Sequence, residues 1–130
     1  MVEMKLEQLR TVFNSHPEVK LAYLFGSQAS GKSGPLSDYD FAFYIDSRDK
    51  AKMADLRYIL MDEISRVLKT DKTDVLLLNL TQSPEIKYEI VSHGKLIFEQ
   101  EPFKIVVEPK ILNEYFDFRS FLLRHHLTKN

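Results

Sequence analysis

Apolar residues along the chain keep two different rhythms. Residues 4–15 set Leu6, Leu9, Val12 and Phe13 at helical spacing and stop at His16-Pro17, which predicts a first helix. Residues 19–25, VKLAYLF, are a short apolar run with β-branched and aromatic members, the signature of a buried strand. Residues 39–45, YDFAFYI, predict a second strand. Residues 49–69 carry Met53, Leu56, Leu60, Ile64 and Val67 on one stripe, which predicts a long amphipathic helix. Residues 73–79, TDVLLLN, predict a third buried strand. Ser83-Pro84 then opens a helix through Val91, with the serine as cap and the proline at the first helical position. His93-Gly94 closes it, and Lys95 to Phe98 predict a fourth short strand.

Two stretches break these rhythms. Gly26 to Ser37 contains three glycines, four serines and a proline, so a loop is expected, with room for a short helical turn. Glu101 to Pro109 contains two prolines and the β-prone run Lys104-Ile105-Val106-Val107, and reads as a linker. Ile111 to Leu127 follows, with Ile111, Leu112, Tyr115, Phe116, Phe118, Leu122 and Leu123 among basic residues: a helix with a wide apolar face. That face either completes the domain's core or meets a partner, since Tyr115, Phe116, Phe118, Arg119 and Phe121 are residue types that anchor interfaces. The order α-β-loop-β-α-β-α-β-α predicts an α/β fold, a small mixed β-sheet packed by helices with an additional C-terminal helix.

Composition narrows the function more than the fold. A chain of 130 residues is about one domain. Its net charge of -1 gives no field that would recruit nucleic acid or a membrane, so no direct nucleic-acid binding is expected. No cysteine is present, which excludes disulfides, thiol nucleophiles and zinc–thiolate sites and suits a cytoplasmic setting. No signal peptide and no membrane span are expected.

The chemistry concentrates at the start of the second strand. Side chains alternate along a strand, so Asp38, Asp40, Ala42 and Tyr44 share one face and Tyr39, Phe41, Phe43 and Ile45 the other. The two aspartates then point the same way, with Cα atoms about 6.6 Å apart. At about 5 Å and an effective dielectric of about 20, their repulsion costs roughly 3 kcal/mol. Solvent, an arginine, a shared proton or a metal ion offsets such a cost. Asp74 opens the third predicted strand, where an acid is out of place. If that strand lies beside the second, three carboxylates converge, and hard oxygen ligands of this kind favour Mg2+. Room for two ions suits an in-line phosphoryl or nucleotidyl transfer. Gly26-Ser27 directly follows the first strand, where a glycine permits close backbone approach and a hydroxyl and amides can hold phosphate. Arg124-His125-His126 reads as a solvated helix end, because adjacent helical side chains diverge. Tyr44 either lines the acid pocket or packs.

Gly26-Ser27, ten intervening residues and Asp38-Tyr39-Asp40 resemble the Gly-Ser-x10-Asp-x-Asp signature of the polymerase-β-like nucleotidyltransferase superfamily. The short chain and the stretch SPEIKYEIVSHGKLIFE resemble its minimal nucleotidyltransferase, or MNT, branch. The likeness spans about residues 19–99. It implies a minimal nucleotidyltransferase domain over residues 1–100, followed over 101–130 by the linker and C-terminal helix as a candidate partner-binding extension. Members of that branch are often antitoxins paired with HEPN-domain toxins, and some transfer AMP from ATP to a tyrosine of the toxin. By this resemblance Asp38, Asp40 and Asp74 are catalytic and bind Mg2+. Asp74 also helps to activate the acceptor hydroxyl. Gly26, Ser27, Ser37 and Lys32 bind ATP. The chain departs from many members in having Ser30 where they carry arginine, with Lys32 as the nearby positive charge. Two other readings stand beside this one: an antitoxin that neutralises its toxin by covering it, without catalysis, and a transferase acting on a small molecule such as an aminoglycoside.

Overall fold

The computed structural model describes residues 2–26, 29 and 38–126. Its described elements are α1 (Val2–Asn14), β1 (Val19–Phe25), β2 (Tyr39–Ile45), α2 (Lys50–Leu68), β3 (Thr73–Leu77), α3 (Pro84–His93), β4 (Lys95–Glu99) and α4 (Phe103–Arg124). The strands form a mixed sheet in the order β3-β2-β1-β4. β1 runs antiparallel to both β2 and β4, whereas β2 and β3 are parallel, joined through α2. The expected α/β architecture is thus observed.

Both faces of the sheet are covered, which is why its central strands read as apolar runs. Phe41, Phe43 and Ile45 of β2 pack with Leu24, Val75 and Leu77 against Leu9 and Phe13 of α1 and Leu56, Leu60 and Ile64 of α2. Phe13 sets its ring edge-on to Phe43, with centroids 5.1 Å apart. On the opposite face Leu21, Tyr23 and Ala42 pack with Ile90 of α3 and Val107 and Ile111 of α4. The small Ala42 is fully buried there.

Local signals explain most element ends. The Asp49 carboxylate caps α2 by accepting from the backbone N–H groups of Ala51 and Lys52, at 3.0 and 3.1 Å. Lys69, in the left-handed region at φ 56°, stops that helix one residue earlier than expected. Met53, Leu56, Leu60 and Ile64 of the expected stripe are buried on α2, but Leu68 is buried in place of Val67, which is only partly covered. Ser83 caps α3 as expected, and its hydroxyl accepts from Ile86 N–H at 3.2 Å. Gly94 does not close that helix through a left-handed turn, since its φ is −73°. A side chain is excluded there because a Cβ would lie 2.4 Å from the Ile90 carbonyl oxygen. β3 ends at Leu77 rather than Asn79. The Asn79 side chain continues the pairing, accepting from Ile45 N–H at 2.8 Å and donating to Ile45 O at 2.6 Å.

The expected linker over Glu101 to Pro109 is absent; α4 starts at Phe103 and runs through Pro109. A proline inside a helix costs about 3 kcal/mol, chiefly through a lost N–H bond and ring crowding. Val107 and Ile111, four residues apart, are both buried on the sheet. Each such burial stabilises by roughly 1.5–3 kcal/mol, which offsets the proline. The second half of α4 differs. Phe116, Phe121 and Leu123 are exposed, so this helix completes the core with its first half only. The helix ends at Arg124, earlier than the expected Leu127, and Arg124, His125 and His126 are exposed as a solvated end should be. No described helix is long and apolar enough to cross a membrane.

Candidate active site

The sheet register assembles the site. β2 and β3 run parallel with Asp40 directly beside Asp74, followed by Phe41 beside Val75. β1 lies on the other side of β2, with Phe25 opposite Asp40. The chain therefore leaves β1 at Gly26 against the same carboxylate. Gly26 has φ +76°, and a Cβ there would lie 2.7 Å from Asp40 Oδ2. The backbone conformation favours glycine at this position, and any side chain there would have to push the Asp40 carboxylate aside. Its carbonyl accepts from Ala29 N–H at 3.2 Å.

The acids crowd one another, as their spacing predicts. Burial pushes the Asp40 carboxyl above the usual carboxylate range, and the charges of Asp74 and then Asp38 push it further. Asp38, at the mouth of β2, is exposed. This is a site of crowded carboxylates beside a glycine turn, made of hard oxygen donors, and a divalent cation fits it on those grounds. Among the described residues, however, no set of three or more acids, histidines or cysteines is gathered closely enough to hold a metal ion. The Asp74 carboxylate is engaged elsewhere. Its Oδ1 accepts from its neighbour Val75 N–H at 2.9 Å and from Arg57 Nη2 at 3.3 Å.

Arg57 carries no signal in the sequence. It follows the buried Leu56 on α2 and donates through Nε to the Val75 carbonyl at 2.6 Å. Nothing local marks it, because its meaning depends on α2 packing along β3. Tyr44 packs: its ring lies 6.1 Å from that of Phe103. Ser27, Lys32 and Ser37 lie outside the described residues. A cavity of about 560 Å3 between Glu99, Glu101, Ile105 and Leu112 does not include the three aspartates.

No curated protein matches the sequence. A toxin–antitoxin complex with AMP-PNP contains a chain of the same fold, with a TM-score of 0.73 at 22% identity, over 95% of this chain and 94% of that one. A second neighbour is from Shewanella oneidensis, a complex of tri-AMPylated HEPN toxin with MNT antitoxin, with a TM-score of 0.71 at 18% identity over 95% and 94% of the two chains. The toxin–antitoxin pair MntA–HepT gives a TM-score of 0.69 at 18% identity over 94% and 93%. At these identities the likeness establishes a shared fold. The sequence pattern of the family described as Polymerase beta, Nucleotidyltransferase matches residues 7–103, which takes in β1, the Gly26 turn, both aspartate strands and β4. The chain belongs to the polymerase beta nucleotidyltransferase family.

Proposed function

We propose that this protein is a Mg2+-dependent nucleotidyltransferase that moves AMP from ATP onto a hydroxyl, a tyrosine by analogy, of a partner HEPN toxin, and so acts as an antitoxin. The observation that carries this reading is the pairing of Asp40 with Asp74 across parallel strands, with Gly26 pressed against the Asp40 carboxylate. The neighbouring folds include an antitoxin chain beside an AMPylated toxin and one in a complex with an ATP analogue, which supports both nucleotide and partner.

In this reading Asp38 and Asp40 would hold the cation and Asp74 would complete the set. Bound Mg2+ would neutralise the carboxylates and the phosphate charge. Gly26 lets the backbone come close to the phosphates, while Ser27, Ser37 and Lys32 are the further nucleotide contacts. The acceptor oxygen forms a bond to the α-phosphorus as the bond to pyrophosphate breaks. Asp74 takes up the hydroxyl proton. The acceptor arrives on another protein, and the work belongs in the cytoplasm, where ATP is at hand.

The test is transfer itself: the full chain, the folded HEPN partner, labelled ATP and Mg2+. Label on the partner is expected, with loss of label in the Asp38→Asn/Asp40→Asn variant. A folded partner that stays unlabelled counts against the enzyme. The exposed Phe116 and Phe121 on α4 favour a second reading, neutralisation by coverage alone. Full protection of cells by the double Asn variant would establish it.

A further inference from the structure

Arg57 touches the edge strand of the sheet at two points of unequal strength. Its Nε bond to the Val75 carbonyl is short and half-buried, at 2.6 Å. Its Nη2 contact with Asp74 Oδ1 is long, at 3.3 Å, and the Asp74 side chain is 64% exposed. The Tyr58 ring adds a contact to the same guanidinium, 5.4 Å away. The first bond anchors the group whatever Asp74 does. The second is an exposed ion pair, which contributes little and exchanges easily. An arginine serving only to tie down an edge strand needs the first bond and not the second. The second occupies an oxygen of the carboxylate that stands beside Asp40 on the adjacent strand.

We propose that Arg57 is a positioning residue that reserves the Asp74 carboxylate, and that a divalent cation enters the site by displacing the guanidinium from Oδ1. This rests on the reading of Asp38, Asp40 and Asp74 as a cation site. At rest the arginine offsets the charge of Asp74, whose field reaches Asp40. When the carboxylate turns to a cation, the Nε anchor keeps the guanidinium in place to receive it again. The device makes the third ligand conditional. Asp38 and Asp40 have no such competitor among the described residues, and Asp74 joins only when a cation outcompetes an arginine.

The experiment measures Mn2+ affinity of the full chain by paramagnetic resonance of the free ion, with no nucleotide and no turnover. Arg57→Gln is expected to tighten Mn2+ binding by about 1.5- to five-fold, the range an exposed ion pair supplies. In an Asp74→Asn background the same substitution leaves the affinity unchanged. Arg57→Lys, whose single nitrogen reaches one acceptor at a time, tightens binding less, and it serves as the readout should Arg57→Gln fail to fold. A purely structural arginine would lower the melting temperature and leave Mn2+ affinity where it was, and that result overturns the proposal while leaving the cation site standing. If neither the wild type nor Arg57→Gln binds Mn2+ in a manner lost on Asp38→Asn/Asp40→Asn, the cation site itself falls and the reservation of Asp74 falls with it.

Discussion

Gly26 leaves no room for a side chain beside Asp40: a Cβ on the glycine would lie 2.7 Å from the carboxylate oxygen Oδ2. The contact joins the end of β1 to the start of β2. Gly26→Ala meets a left-handed φ of +76° as well as the carboxylate. The backbone strain alone costs about 1–2 kcal/mol, which lowers the melting temperature by several degrees in a domain of this size. The carboxylate is the mobile partner and moves aside, so on the proposed function AMP transfer falls by more than the stability loss explains. Thermal melting and a transfer assay on the same sample check both halves. Unchanged transfer would show that the position of Asp40 is not critical.

Asp40→Asn has the opposite effect on stability. Burial and two neighbouring carboxylates raise the Asp40 pKa in the folded state. The folded state therefore holds the Asp40 proton more tightly than the unfolded chain does, and stability falls as pH rises through the folded value. The neutral amide removes that loss. The variant should melt higher than the wild type at pH 7, with the advantage gone once the pH is below the ordinary carboxylate range. Melting curves at several pH values decide it, and a variant less stable at pH 7 would contradict the assignment.

Tyr23 gives a test remote from the site. It is fully buried on β1, and its hydroxyl donates to Glu108 Oε2 on α4. Burial, then this hydrogen bond and the nearby negative charge, raise the phenol pKa, so the hydroxyl stays protonated at neutral pH. Tyr23→Phe leaves the Glu108 carboxylate without its donor and should cost about 1–3 kcal/mol in urea unfolding. A loss under about 0.5 kcal/mol would mean that solvent replaces the bond.

The two halves of α4 should separate by mutation. Ile111→Ala opens a cavity under a residue only 6% exposed and should cost about 2–4 kcal/mol. Phe121→Ala removes a side chain 46% exposed and should change stability by no more than about 0.5 kcal/mol. Equal losses in unfolding experiments would show that the distal half is packed as tightly as the proximal one.

Periodicity made the sheet legible because both of its faces are covered: VKLAYLF and YDFAFYI hold nothing that could tolerate water except at their ends. The same logic exposed the aspartates, which are conspicuous as acids opening apolar runs. Two prolines make the start of α4 look like a linker in any local window, whereas Val107 and Ile111 are stabilised by a sheet that no local window contains. Gly94 drew the right boundary for another reason, a close carbonyl rather than a left-handed turn. Arg57 was out of reach. A charged residue on an amphipathic helix normally belongs to solvent, and only the packing of α2 along β3 turns this one toward a carboxylate.

The parallel pairing of β2 with β3 has one more effect. Val75, next to Asp74, is sealed among the residues below the sheet. Sliding β3 by a single position would swing Asp74 into oil and lift Val75 into water. Alignment errors thus carry their own penalty. The pairing of the two acids is kept true by the greasy neighbour of each, Phe41 after Asp40 and Val75 after Asp74, and substitutions that loosen either would disturb the candidate site without touching a carboxylate.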